Sequence, residues 1–212
     1  MSIKQFLLND LEAMEQRFRT NFINSISGFK SVALIGTIDL SGQTNVAVFS
    51  SIVHIGANPP LLGFVVRPDS VERHTLENIL ETKEYTINFI NEAIFKKAHQ
   101  TSARYSKSTS EFDAVGLTNE YFNTLKAPFV KESSVKLGLQ FVEKVDIALN
   151  GTSLIIGKIV EVILPENIIG TDGHVSIEEA NTITVNGLDT YHTVKRIARL
   201  SYAKPNSFPQ EL

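Results

Sequence analysis

The longest regular pattern in the chain spans residues 135–149 and constrains the fold more than any other stretch. Odd positions carry Val135, Leu137, Leu139, Phe141, Val145, Ile147 and Leu149, while Lys136, Gln140, Lys144 and Asp146 stand at even positions. Strand side chains point alternately to opposite faces, so this spacing predicts a strand with one dry and one wet face. Asn150-Gly151 follows, a two-residue hairpin signal, and residues 152–164 run back beside it. Paired strands of that length twist and curve, which points to a barrel-like sheet.

Shorter strands are predicted at residues 32–38, 43–49, 61–66 and 85–90. The first two flank the turn Asp39-Leu40-Ser41-Gly42, and Pro59-Pro60 keeps the entry to the third extended. Helical spacing of Leu7, Leu11, Met14 and Phe18 predicts a helix near residues 4–22, capping the open side of a sheet. Glu15 and Arg19, four apart, make a weak pair on its other face. A short helix is expected over 75–80, with Thr75 as its cap, and further helical turns over 94–101 and 177–180. Residues 101–110, rich in Ser, Thr and Lys, read as a mobile surface loop. The chain reads as a single domain over 1–212, with a helical extension at 1–25. A tail at 203–212 is expected to be poorly ordered or laid on a partner.

Composition narrows the chemistry. A net charge of −3 with scattered acids and bases offers no basic stripe for nucleic acid. Without cysteine there is no disulfide, thiol catalysis or iron–sulfur ligation. His54, His74, His99, His174 and His192 lack the spacing of a helical zinc site. No Gly-x-Gly-x-x-Gly or Gly-x-Ser-x-Gly occurs, and the segment from Gly151 to Lys158 departs from P-loop spacing. No apolar run is long enough to cross a bilayer, and the polar start is unlike a signal peptide, so a cytoplasmic protein is expected. With no obvious nucleophile, metal cage or acid–base pair, a bound cofactor is expected to carry any catalysis.

Polar residues gather between positions 45 and 78. Asn45 and Ala47 share one strand face, and Ser50-Ser51 ends that strand. A small alanine leaves room for a flat ring, and asparagine offers both a donor and an acceptor to its edge. Arg67 follows a buried strand, and Arg73, His74, Thr75 and Asn78 surround a helix start. There, unpaired N–H groups and an always-charged guanidinium suit a phosphate. A flat organic ligand bearing a phosphate, flavin mononucleotide (FMN), fits this set. The same residues also suit ordinary roles: a turn-following Asn, a strand end, a surface Arg beside a capped helix.

Taken in order, several short motifs resemble the flavin reductase-like family with the FMN-binding split-barrel fold. They are Asn45-x-Ala47-x-x-Ser50, Asn58-Pro59-Pro60, Thr75-x-x-Asn78-Ile79, Glu84-Tyr85-Thr86-Ile87-Asn88, Glu111-Phe112 with Gly116-Leu117-Thr118, and Arg196 with Tyr202. The resemblance implies a mainly β fold, a six-stranded antiparallel Greek-key split barrel with flanking helices. It also implies a homodimer with FMN near the subunit interface and NADH or NADPH as co-substrate. A small-molecule acceptor or free flavin would take the electrons. Asn45, Ala47, Ser50 and Ser51 would approach the ring and ribityl chain, and Arg67, Thr75 and His74 the phosphate. Asn78 and Arg196 complete the expected set, with Tyr191 or His192 as further candidates for the ring's open face. Two departures stand out: Ala198-Arg199 occupy positions where the family commonly carries glycines, and His74 stands where it often has Lys or Arg. Alternatives are a flavin-binding carrier or sensor without nicotinamide turnover, and a split barrel that has lost flavin and binds another anion.

Overall fold

A computed structural model describes residues 2–68 and 72–212. In chain order the helices are α1 (Leu8–Glu12), α2 (Gln16–Ile26), α3 (His74–Thr82), α4 (Phe95–Gln100) and α5 (Glu111–Val115). The first strands are β1 (Lys30–Ser31), β2 (Ala33–Ile38), β3 (Thr44–Phe49), β4 (Val53–Ala57), β5 (Pro60–Val66) and β6 (Glu84–Phe89). They are followed by β7 (Asn119–Glu120), β8 (Phe129–Val130), β9 (Lys136–Ile147), β10 (Thr152–Ile163), β11 (Thr184–Asn186) and β12 (Thr190–His192).

Seven strands make the main sheet, in the order β3-β2-β6-β9-β10-β5-β4, every neighbour antiparallel. Six had been expected; the seventh, β4, occupies a stretch between Ser51 and Asn58 to which the sequence reading assigned no element. Its pairing with β5 also corrects the view of Pro59-Pro60 as an extended entry. Ala57 opposes Pro60, so Asn58-Pro59, with a cis peptide, is the connection of a tight hairpin. The sheet curls into a split barrel whose edge strands are β3 and β4. Residues 50–52 carry the chain directly from β3 to β4, and Ser51 Oγ accepts from Val65 N–H and donates to Val65 O, both at 3.0 Å, which prolongs the β4–β5 pairing up to that crossing.

Period-two alternation places the core. β2 is buried on both faces. Leu34, with Val32 before the strand, packs outward against Phe112, Val130 and Ile94, whereas Ala33 and Ile35 enter the barrel with Phe64, Tyr85, Leu139 and Ile155. Leu76 and Ile79 of α3 belong to the interior cluster, so this helix plugs one mouth of the barrel. Gly157 lies at a register shift between β9 and β10, and a Cβ there would stand 2.2 Å from Tyr85 Oη. A bulge bends the strand at this point and the missing side chain admits the ring.

The long hairpin departs from its predicted alternation at both ends. Lys136, expected wet, is 6% exposed; it ion-pairs with Glu120 and donates to Lys131 O at 3.3 Å. Toward the tip, Val145 and Ile147, expected dry, are exposed, and Leu149 is fully open. β9 pairs with β6 only over Lys136–Gln140, so its outer half has a neighbour on one side alone. The turn is also longer than two residues: Ile147 opposes Thr152, and residues 148–151 connect them with Gly151 at φ +69°.

The predicted N-terminal helix is broken in two at residues 13–15. Glu15 caps α2 by accepting from Phe18 N–H at 3.0 Å, and what is left of the expected pair with Arg19 is a minor charge attraction. Neither α1 nor α2 buries a residue, and Leu7 and Phe18 remain exposed, so the extension does not cap the sheet through that face. The tail turns back on itself through Leu200–Glu211 and Lys204–Ser207 bridges while staying exposed.

Candidate functional site

A cleft of about 1370 Å³ opens beside the crossing from β3 to β4. Asn45, Ala47, Ser50 and Ser51 line it from β3 and its end, Arg67 from the end of β5, and Arg73, His74 and Thr75 from the start of α3. Eight residues singled out in sequence therefore meet in one place. Asn78 and Arg196 do not line it. Asn78 lies one turn behind, its Nδ2 donating to Thr37 Oγ1 at 3.1 Å. Arg196 ion-pairs with Glu178 and donates to Ser176 Oγ at 2.6 Å. Tyr191 lines the cleft and His192 does not.

The polar groups on the β3 side are already engaged. Asn45 Nδ2 donates to Thr37 Oγ1 at 3.2 Å and to Thr75 Oγ1 at 3.0 Å. Thr75 was expected to cap α3. Arg73 holds the cap position instead, without a side-chain bond, and Thr75 serves the Asn45–Thr37–Asn78 network. This buried relay fixes the start of α3 against β2 and β3, since each member would be costly to leave unpaired.

Positive charge collects at the α3 end. The first intrahelical bond runs from Glu77 N–H to Arg73 O, so the N–H groups of the three residues before Glu77 precede the helical ladder. Arg73 Nε and an Nη donate to Pro68 O at 3.2 and 3.1 Å. Its guanidinium pKa is lowered from the ordinary value, first by burial and then by the positive charges of Arg67 and Arg104. Three arginines thus converge, and among the described residues none of them has a carboxylate partner. His74 Nε2 is buried without a hydrogen bond, 3.5 Å from Glu72 Oε2. An anion placed here gains from unspent N–H donors, the helix dipole and bidentate guanidinium groups.

Sequence reasoning missed two contributors. Arg104 sits in the 101–110 segment, where nothing in a run of small polar residues marks one arginine as special. Glu111, 6% exposed, lines the cleft and accepts from Val46 N–H at 3.2 Å, an outward N–H of an edge strand. Burial is the main influence on its carboxyl and raises the pKa, against its backbone hydrogen bonds and nearby His74. A folded-state pKa above the unfolded one favours folding at acid pH, and this contribution is lost as pH rises through the raised value. Glu111→Gln keeps an acceptor for Val46 and is therefore expected to raise the melting temperature at pH 7. The advantage should vanish below the ordinary glutamate range, as a pH series of thermal melts would show; a constant offset at every pH would refute the account.

Also on the cleft lining, His99 Nδ1 lies 3.0 Å from Tyr191 Oη. Burial and, secondarily, Asp189 raise the Tyr191 pKa, so the phenol stays protonated. The lining of the cleft therefore combines a cationic group, a wall from β3, and the His99–Tyr191 pair.

Comparison with known proteins identifies the family and the fold. The family model for the flavin reductase like domain matches residues 29–190. An uncharacterised protein from Aquifex aeolicus is 31% identical over 145 residues, covering 66% of this chain and 74% of the relative. A candidate flavin reductase with a split barrel domain from Shewanella frigidimarina is 50% identical, with a TM-score of 0.91, over 94% of this chain and 100% of that one. Nitrilotriacetate monooxygenase component B from Bacillus cereus shares the fold at 19% identity, with a TM-score of 0.82 and coverage of 94% and 100%.

Proposed function

The chain belongs to the flavin reductase-like family, and we propose that its cleft holds FMN, with the phosphate at the α3 end and the ring against β3. The observation that carries this reading is the convergence of Arg67 and Arg73 on the unpaired N–H groups that open α3. The fit test favours the cofactor: the cationic end offers the exposed Arg67 guanidinium, the first N–H groups of α3, and His74 Nε2, buried with no hydrogen bond. Ala47 keeps the neighbouring wall low. Bound FMN would supply two-electron exchange, taking hydride from NADH or NADPH and passing electrons to a small acceptor.

The chain's own residues bind and orient. Arg67, Arg73 and the α3 N–H groups would hold the phosphate dianion. The Asn45–Thr75–Thr37 relay fixes those groups relative to the ring-side strand. Asn45 acts through this network, since its amide N–H groups are spent on threonine hydroxyls. Ser50 and Ser51 would lie along the ribityl chain, with Ser51 also fastened to Val65. His99 and Tyr191 wall the part of the cleft left for a second substrate, where the neutral phenol can donate a hydrogen bond. Arg196 and Asn78 hold their own surroundings in place on one protomer. Exposed Val142, Val145, Ile147 and Val162 on the long hairpin support pairing of two copies into a homodimer.

Purified protein is expected to be yellow and to release FMN on heating. Anaerobic mixing with NADH or NADPH should bleach the colour. A yellow protein that neither nucleotide bleaches would instead be a flavin carrier or sensor. Protein that stays colourless and shows no spectral change on FMN titration would sink the reading.

A further inference from the structure

The segment joining α4 to α5, residues 101–110, was expected to be a mobile surface loop, but its two ends are buried and anchored on β3. Thr101, 4% exposed, accepts from Val48 N–H through Oγ1 at 3.0 Å. Ser110, 7% exposed, bonds Thr44 Oγ1 at 2.8 Å. Between these anchors the chain is exposed and bonds chiefly to itself, as in the Ser106 contacts to Ser108 and Thr109 at 3.0 and 2.9 Å. One further latch reaches α3: Lys107 Nζ lies 2.9 Å from Glu77 Oε2, and Glu77 Oε1 accepts from Arg73 N–H at 3.3 Å. That latch is solvent-exposed at both partners, so it holds the segment weakly. Arg104 and Tyr105, at the middle of the segment, line the cleft.

We propose that residues 102–109 form a flap closed by the ligand's phosphate, with Arg104 as the guanidinium that reaches across to the group held by Arg67 and Arg73. The proposal rests on the FMN reading of the cleft and goes beyond it. It makes Arg104 a determinant of selectivity for phosphorylated over unphosphorylated flavin. Like charge explains why the flap needs the anion. Without an anion between them, Arg104 meets the like charge of Arg73, which is held on Pro68 O. With a dianion between them, the repulsion becomes attraction and the segment closes. Firm anchors at both ends and an exposed latch suit an element that moves as a unit over a site.

Hydrogen exchange of residues 102–109 tests this in the full chain, alone and with FMN, riboflavin or inorganic phosphate. FMN should slow exchange across the segment and riboflavin should not; phosphate should act partially at millimolar concentration. Arg104→Ala is expected to weaken FMN binding by about tenfold to a hundredfold, the range for one charge-assisted hydrogen bond. It should leave riboflavin affinity within about twofold and abolish the protection, and Arg104→Lys should restore part of both. FMN binding to the wild type without protection, equal protection by riboflavin, or unchanged FMN affinity in Arg104→Ala would each overturn the flap while leaving the flavin site standing. Failure of the wild type to bind FMN at all would overturn both.

Discussion

Gly36→Ala is expected to destabilise the fold by about 3–4 kcal/mol, combining an overpacking cost with a lost hydrogen bond. A Cβ at this position would stand 2.3 Å from Pro128 O and 2.6 Å from Thr86 Oγ1. The first obstacle is backbone, so the 127–130 segment must move away from β2. That segment is tied to the sheet by Thr86 Oγ1 donating to Pro128 O at 2.7 Å and Val130 N–H donating to Asn88 Oδ1 at 2.9 Å. Both bonds stretch together, and Val130 withdraws from the outer core. For a chain of this size, the melting temperature should fall by about 6–16 °C. Gly56→Ala is the matched control, because its Cβ would make an ordinary contact at 3.6 Å. A urea series should shift the midpoint sharply for the first variant and change stability by under about 1 kcal/mol for the second. Equal shifts would show that close approach at Gly36 is not what matters.

Arg67→Ala carries the largest expected effect on binding. Arg67 is exposed and, among the described residues, has no ion pair, so its removal leaves the fold untouched. Its loss should weaken FMN binding by about 1.5–3 kcal/mol, the range for hydrogen bonds to charged groups. Riboflavin, which lacks the phosphate, should bind the variant and the wild type alike. The FMN difference should shrink with added salt, because a partly exposed ion pair is screened. Flavin fluorescence titration measures all three. Unchanged FMN affinity would remove Arg67 from the site, and an equal loss for riboflavin would place it at the ring.

The elements that sequence made legible are those whose pattern repeats. Strand β2 announces itself as a short apolar run, β9 through alternating apolar side chains with β10 as its return, and α3 through Leu76, Ile79 and Leu80. The exceptions have local physical causes. Lys136 falls at a polar position of the pattern, yet Glu120 and Lys131 O give its ammonium partners beneath a covering segment, so burial is tolerated. Val53, Ile55 and Ala57 do alternate with His54 and Gly56, but the run is short and half open, and Pro59 drew the reading toward an extended entry. For the site, Arg67, Arg73 and His74 stood out because charge beside a helix start has a chemical meaning in one dimension. Arg104 and Glu111 did not, since each acts through neighbours dozens of residues away. Thr75 shows the converse: a cap-like residue type recruited by Asn45, which lies thirty positions earlier.

The crossing from β3 to β4 has a mechanical consequence. A curled sheet is stiff wherever continuous ladders of amide bonds cross it and compliant where they stop. Here the ladders stop between the first and last strands, and the chain itself straps that gap over residues 50–52, with Ser51 fastened to Val65 on the β5 side. The wall beside the cleft can therefore give only by the slack of a three-residue strap, while the opposite side is held by unbroken ladders.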